Sequence, residues 1–251
     1  MKPDVVTVDV RSRRAEEGEG PIRLLALSCR RNGFRLSVLG TGERWGGYGT
    51  KLCLLRRHLR KAPDRRPILF LDAYDTVLLP CRDRIMESFL SFGVPLVFGA
   101  EAGCWPDPDL ASWYPEPDPG PRSEDRRITA FRPPPPPRGP FRYLNSGVYL
   151  GLAGAIREAL EELDPSPGDD DQRLYTRYFL EHGDRVRLDV RAQLFQNLYR
   201  VRPEDLCLEE DRPVRLRSRW TGTQPCVLHG NGPGRETFLH VTRRLEEVGW
   251  P

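Results

Sequence analysis

Apolar residues along this chain of 251 residues gather in short runs of two kinds. VVTVDV from Val5, FRLSVLG from Phe34, PILFLD from Pro67, VPLVFGA from Val94, SGVYLGL from Ser146 and PCVLHG from Pro225 are β-branched or aliphatic stretches, each reading as a strand of about five residues. Between them, apolar positions recur at helical spacing. This predicts helices over Ile22 to Arg31, Lys51 to Leu59, Arg84 to Phe92, Ala155 to Leu163 and Gln172 to Leu180. Strand and helix alternate, so the expected fold is α/β, a mainly parallel Rossmann-like sheet flanked by helices. The length suits one domain spanning residues 1–251. In open sheets of this kind ligands sit beyond the carboxyl ends of the strands. Asp72 falls at such an end.

One region breaks the pattern. Residues 106–140, with YPEPDPGPRSEDRR and an unbroken run from Pro133 to Pro137, are too rich in proline for helix or central strand and predict an extended surface excursion, mobile at its tip. The 25 prolines of the chain are roughly twice the usual share of about 5%, so loops should be numerous and stiff. There is no internal repeat.

Lys and Arg number 39 against 36 Asp and Glu, a net charge of +3, which gives no reason to expect a nucleic-acid partner. Arginine-rich pieces such as VRLRSRW read as solvated faces. Cys29, Cys53, Cys81, Cys104, Cys207 and Cys226 are scattered without a CxxC pair, so neither a zinc site nor a disulfide framework is expected. No segment approaches the roughly 20 apolar residues of a membrane span. The N-terminus lacks an apolar leader, which at face value predicts a cytoplasmic protein; a trimmed N-terminus would instead fit a secretory one.

Four features carry candidate chemistry. In ILFLDAYDTVLLP, Asp72 and Asp75 stand at the mouth of an apolar strand, where two carboxylates can offer oxygen ligands to a hard divalent cation such as magnesium or manganese. The competing reading is a turn cap and an exposed carboxylate. VLHGNGPGR, Val227 to Arg235, runs a strand into a glycine-rich loop whose amides and Arg235 suit a pyrophosphate. His229 there is either a nitrogen ligand favouring manganese or a histidine held in a turn. Asp169, Asp170 and Asp171 open a helix, either as its cap or as carboxylates for a sugar. Trp45, Trp105, Trp113, Tyr74 and Tyr143 lie near loops or motifs and could stack on a base or sugar, or simply pack.

Taken in order, FLDAYD, VFGAEAGCWPDPDLASWYP, FRYLNSGVYLG, DDDQRLYTRYFL, FQNLY and VLHGNGP resemble the glycosyltransferase domain of the procollagen lysyl hydroxylase/glucosyltransferase family, from about Leu39 to about Pro233. The resemblance implies a GT-A type fold, manganese (with magnesium as the alternative) and a UDP-sugar donor. It further implies transfer of glucose or galactose to hydroxylysine or galactosyl-hydroxylysine of a collagen-like protein. By the same resemblance Asp72, Asp75 and His229 are the metal ligands. Tyr74 packs on the uridine, and Asn231, Gly232 and Arg235 fall where the diphosphate is gripped, with arginine in place of the usual lysine. Trp45 begins the donor-covering loop, Lys51 matches the lysine behind it, and Asn145 of YLNSG belongs to the donor side. Asp170 and Asp171 fall beside sugar and acceptor, and Trp105 on the acceptor side.

The departures are a shorter loop after Trp45, a longer segment RSRRAEEGEGPIR and a longer proline-rich stretch from Pro117 to Pro140. At 251 residues the sequence is not expected to hold a hydroxylase domain beside this module. Two other readings share the donor chemistry: a catalytically idle UDP-sugar-binding scaffold, and a glycosyltransferase acting on a non-collagen glycan.

Overall fold

Residues 2–11, 20–116, 141–209 and 213–250 are described by a computed structural model. In chain order the first half contains β1 (Asp4–Val8), α1 (Arg23–Arg31), β2 (Leu36–Leu39), α2 (Gly49–Leu59), β3 (Pro67–Leu71), β4 (Thr76–Leu78), α3 (Ile85–Ser91) and β5 (Leu96–Glu101). The second half contains β6 (Tyr143–Leu152), α4 (Ala153–Leu163), α5 (Asp171–Glu181), β7 (Val186–Asp189), β8 (Phe195–Asn197), β9 (Leu206–Glu209), β10 (Arg215–Ser218), β11 (Val227–His229) and α6 (Arg235–Glu247).

The large sheet has the order β2-β1-β3-β6-β5-β7. β1 runs parallel to both β2 and β3, and β5 to β7, whereas β6 is antiparallel to both its neighbours. The expectation of a mainly parallel sheet holds with this one reversed strand. The central strands are buried throughout, because helices cover both faces. On the face of α4 and α5, Tyr149 stacks on Phe70 at 4.8 Å between ring centres, and Phe98 lies 4.9 Å from Tyr149 and 4.7 Å from Tyr175. On the opposite face Leu25 and Cys29 of α1 and Phe89 of α3 pack against Leu69, Leu71 and Val97.

Two features of this sheet place the site. β1 sits with β2 on one side and β3 on the other, so the chain departs in opposite directions from that point and leaves a crevice beyond the strand ends. β6 is longer than its sequence pattern suggests, starting at Tyr143. Its register against β5 shifts between Phe98 and Gly99, so that Phe98 faces Tyr149 while Gly99 faces Asn145. This bulge takes Ser146 and Gly147 out of the pairing with β5, and Gly147 turns its carbonyl to Asp72 N at the crevice.

A smaller sheet, β4-β11-β8, stands beside the large one, with β11 antiparallel to β4 and parallel to β8. The turn before β8 is held by Asp189, fully buried, whose carboxylate accepts the backbone N–H groups of Gln193, Leu194 and Phe195 at 2.8, 2.6 and 2.8 Å. Burial pushes this carboxyl up to about 6, and the amides pull the other way.

Three expectations are corrected. VRLRSRW is only half a solvated face: in the β9–β10 hairpin Val214, Leu216 and Ser218 are buried and Arg215 is exposed, a strand alternation hidden by the arginines. The glycine-rich loop expected to run to Arg235 is shorter: Gly232–Gly234 is a 3-10 turn and Arg235 begins α6, whose Phe238, Val241 and Leu245 are buried at helical spacing. The proline-rich excursion begins not as extended chain but with a 3-10 turn over Pro108–Ser112; residues 117–140, including its tip, lie outside the described residues.

Candidate active site

β3 carries its apolar run into the large sheet as far as Leu71, and β4 resumes it in the small one. The four residues Asp72 to Asp75 are the crossing between the two sheets. The crossing is pinned at both ends: the Asp72 N–H donates to Gly147 O at 2.8 Å, and the Gly230 N–H donates to Asp75 O at 2.8 Å. Neither aspartate is a simple turn cap, since both side chains turn towards His229 at the end of β11. His229 Nε2 lies 3.9 Å from Asp72 Oδ2 and 3.7 Å from Asp75 Oδ1.

The histidine is set up as an acceptor on that side. Asn197 donates its Nδ2–H to Ala100 O at 2.9 Å, which leaves its Oδ1 to accept from His229 Nδ1 at 2.7 Å. With the proton on Nδ1, the Nε2 lone pair faces the two carboxylates, the arrangement by which an outer hydrogen bond orients a metal-binding histidine. The three ligand atoms lie within 4.8 Å of one another. Bonds of roughly 2.0–2.2 Å to one small divalent cation place ligand atoms about 3–4 Å apart, so this set fits a manganese or magnesium ion. One nitrogen with two carboxylates matches manganese well.

Gly147 is the cradle of the triad. A Cβ on it would meet His229 Cε1 at 2.4 Å and Asp72 Oδ2 at 2.6 Å, far inside contact distance. Gly147→Ala is therefore expected to weaken divalent-cation binding about 10- to 100-fold, the range seen when the groups orienting metal ligands are disturbed. Isothermal titration with manganese checks this, and an unchanged affinity would refute the cradle.

Behind the aspartates stands Lys51, in the first turn of α2. Its buried ammonium lies 3.0 Å from Asp72 Oδ1 and 2.7 Å from Asp171 Oδ2. Burial alone would favour the neutral amine, but Asp171 and Asp72 outweigh it and hold the group above its ordinary value, charged. α2 comes this close to the α5 side because Gly49 has no side chain. Its N–H donates to Asp169 O at 2.7 Å, and a Cβ there would stand 2.0 Å from Ser166 O.

The run Asp169 to Asp171 divides its labour. Asp169 accepts from Ser166 N at 2.7 Å, and Asp170 is the N-cap of α5, accepting from Arg173 N at 2.8 Å. Asp171 alone of the three turns inward to Lys51. Of the pair expected beside the sugar, the structure brings Asp171 to the metal triad and gives Asp170 a capping role.

A cavity of about 230 Å³ opens from the triad towards β1. Trp45, Tyr48, Lys51, Tyr74 and Arg235 line it together with Asp72 and Asp75. Trp45 and Tyr48 meet edge to face at 5.9 Å across its mouth. Arg235, first residue of α6, reaches the cavity beside the backbone of Gly232, whose φ of +53° is a glycine conformation. At the far end the Tyr74 hydroxyl donates to Asp9 Oδ1 at 2.7 Å, and the Arg11 guanidinium lies over the ring at 5.6 Å. Burial first, then Asp9, holds the phenol above its ordinary value.

Asn145 and Asn231, both expected on the donor side, converge on Glu101. Both donate through Nδ2 to Glu101, to Oε1 and Oε2 respectively, at 3.0 Å each, and Gln172 Nε2 donates to Oε1 at 3.1 Å. Their own oxygens are also engaged: Asn145 Oδ1 accepts from Gly147 N, and Asn231 Oδ1 from Leu198 N and Tyr199 N. Gln172 further donates to the carbonyl of Trp105, whose half-exposed ring meets Tyr199 edge to face at 6.4 Å. Trp105 thus stands at the rim beyond Glu101 rather than in the cavity. Trp113 is largely exposed and Tyr143 packs against Tyr114, so neither joins the site.

Sequence reading missed Asp9, Asn197 and Glu101. Asp9 and Glu101 could have been found as polar residues closing apolar strand runs, the same signal that exposed Asp72; Asn197 carries no such mark.

The fold is that of GT-A glycosyltransferases. A solved glycosyltransferase involved in glycosylation of the major capsid of PBCV-1 superposes over 97% of this chain and 100% of its own with a TM-score of 0.53 at 13% identity. Mouse xyloside xylosyltransferase 1 does so over 93% of this chain and 99% of its own with a TM-score of 0.50 at 14% identity. In sequence, the profile of the PLOD GT domain matches residues 3–123 and 130–249. The chain belongs to that family. It is 32% identical over 248 residues, 93% of this chain, to the human multifunctional procollagen lysine hydroxylase and glycosyltransferase LH3, of which the match covers 31%. It is 34% identical over 222 residues, 82% of this chain, to the procollagen-lysine,2-oxoglutarate 5-dioxygenase of Drosophila melanogaster, of which the match covers 28%. The chain thus spans less than a third of either relative. No helix among the described residues is long and apolar enough to cross a membrane.

Proposed function

We propose that the protein transfers a hexose, glucose or galactose, from a UDP-sugar to a hydroxyl acceptor with manganese as its cation. The acceptor is hydroxylysine or galactosyl-hydroxylysine of a collagen-like polypeptide. One observation carries the reading: the Asp72, Asp75 and His229 triad stands at the carboxyl end of β3, joined through Lys51 to Asp171. Family membership and relatives named for procollagen modification support the acceptor.

Asp72, Asp75 and His229 would hold manganese, with magnesium the weaker fit, and the cation supplies Lewis-acid neutralisation of charge on the departing diphosphate. Arg235 and the amides around Gly232 add positive charge and N–H donors from the other side. Tyr74, tethered to Asp9, offers a ring to the base, and Trp45 with Tyr48 closes over the donor. Asp171 presents a carboxylate towards the positive charge that builds on the sugar ring at the reacting carbon. Lys51 keeps that carboxylate and Asp72 apart, so the two anions do not repel. Trp105 lies where an acceptor would arrive from the Glu101 side.

The test is UDP release from a panel of UDP-sugars, with and without manganese and with and without a hydroxylysine peptide. Manganese-dependent release from one sugar, stimulated by the peptide, is expected. Release without peptide stimulation would redirect the acceptor to another glycan, and no binding of any UDP-sugar would remove the donor reading.

A further inference from the structure

Beyond Glu101 the chain leaves β5 through Gly103, and two rings close over that glycine. A Cβ on Gly103 would meet Tyr199 Cε1 at 2.5 Å and Trp105 Nε1 at 2.7 Å, so only glycine lets both rings settle on the strand end. The rings stand edge to face, 6.4 Å between centres at 87°. Each is anchored through its backbone to the same carboxylate. Trp105 O accepts from Gln172 Nε2 at 3.0 Å and Tyr199 N donates to Asn231 Oδ1 at 3.0 Å, and both of those side-chain amides donate to Glu101. The loop after Trp105 is fixed as well, by the Arg173 guanidinium on both oxygens of Asp107 at 2.7 and 2.8 Å. This corner is held firmly yet stays open to solvent: Trp105 is half-exposed and Tyr199 half-buried. Neither the indole N–H nor the phenol hydroxyl has a hydrogen-bond partner among the described residues. Arg200, next in the chain, keeps φ at +65° without being a glycine, a costly conformation of the kind retained at ligand clamps. Its guanidinium lies 5.2 Å from the centre of the Tyr199 ring, with no carboxylate partner among the described residues.

We infer that Tyr199, braced by Arg200, completes with Trp105 a subsite for an uncharged hexose already carried by the acceptor, so that the two residues select galactosyl-hydroxylysine over bare hydroxylysine. The inference rests on the transfer reaction proposed above and adds to it the choice of acceptor. A pyranose has a face of C–H bonds and a rim of hydroxyls. Aromatic faces take the first, while the indole N–H and the phenol hydroxyl are placed to meet the second. The unpaired guanidinium opposes a second cation nearby. In bare hydroxylysine the ammonium sits on the carbon next to the one bearing the hydroxyl, so its approach to this corner brings two positive charges together. An intervening galactose fills the corner with a neutral ring and moves the ammonium outward.

Binding is read without turnover, by saturation-transfer NMR on the full chain with manganese and UDP present and methyl β-galactoside as the probe. Saturating the aromatic protons of the protein should reach the C–H face of the galactoside. Tyr199→Ala should weaken galactoside binding roughly 3- to 10-fold, and Tyr199→Phe, which keeps the ring, much less. In UDP-release assays the wild type should show a lower KM for a galactosyl-hydroxylysine peptide than for the bare hydroxylysine peptide. Arg200→Gly should narrow that gap by improving the bare peptide. No saturation of the galactoside, unchanged affinity in Tyr199→Ala, or a wild type that prefers the bare peptide would each overturn the inference. A protein that binds the galactoside but no UDP-sugar would keep the subsite and lose the transfer reaction.

Discussion

Asp72→Ala is expected to lower manganese-dependent sugar transfer by on the order of a thousandfold, the effect of removing several kcal/mol of cation stabilisation from the leaving group. The residue joins two devices: Oδ2 faces His229, and Oδ1 holds Lys51. Without it a bound cation would be left with Asp75 and His229, while Lys51 keeps Asp171. The fold should survive, because the turn is held by the backbone contacts of Asp72 and Asp75 rather than by the lost carboxylate. Manganese binding followed by electron paramagnetic resonance, alongside circular dichroism, separates loss of the ion from loss of structure. Full activity with tight manganese binding would sink the ligand assignment.

The second large effect is expected at Glu101. Three amide N–H groups converge on its carboxylate, and each amide is held in that orientation by what its oxygen accepts, or in Gln172 also by its second donation to Trp105. Donors of this kind match an ionised carboxylate, whereas burial opposes ionisation. Burial is the larger influence and pushes the group up to about 7. The folded value is thus raised above the ordinary carboxylate value of 4.5. The stability this group contributes is fully present below about pH 4.5 and is lost as pH rises through 7. On the order of 3 kcal/mol separates those limits.

Activity should run the opposite way. Below pH 7 a protonated Glu101 places an O–H against three N–H donors, and the strand ends bearing Asn145 and Asn231 must readjust. Wild-type activity should therefore fall as pH drops through about 7. Glu101→Gln, which cannot ionise but sets an NH2 against the same donors, should lack that limb and be about tenfold or more less active at pH 8, consistent with about 1–3 kcal/mol for mispaired buried groups. Thermal melts and rates for both proteins from pH 5 to 8 test the pair of signs. Identical pH profiles would show that Glu101 does not titrate there.

Much of this was written in local pattern. Every strand run and helical spacing named in the sequence became an element close to its expected limits, because period 2 and period 3.6 are properties of neighbouring residues and survive whatever packs against them. The DAYD turn, the HGNGPG loop and Trp45 were visible for a related reason: polar or glycine-rich interruptions of apolar runs mark strand ends, where an α/β sheet puts its ligands. Phe238, Val241 and Leu245 of α6 also stand at helical spacing, just after the glycine-rich turn.

Other features depended on residues far apart in the chain. No spacing could say that Asp171 rather than Asp170 faces inward, since that choice follows from where α5 begins and from Gly49 admitting α2. No local pattern could say that Asn231, expected on the diphosphate, also donates to Glu101, 130 positions away. The tautomer of His229 rests on Asn197, and the room for the triad on Gly147, which a bulge in β6 carries into the crevice. The elements, their alternation and the side chains chemically able to act all follow from local residue pattern. The tertiary structure decided which of them act together, because a hydrogen bond or a metal ligand set depends on distances of a few ångströms that only long-range packing establishes.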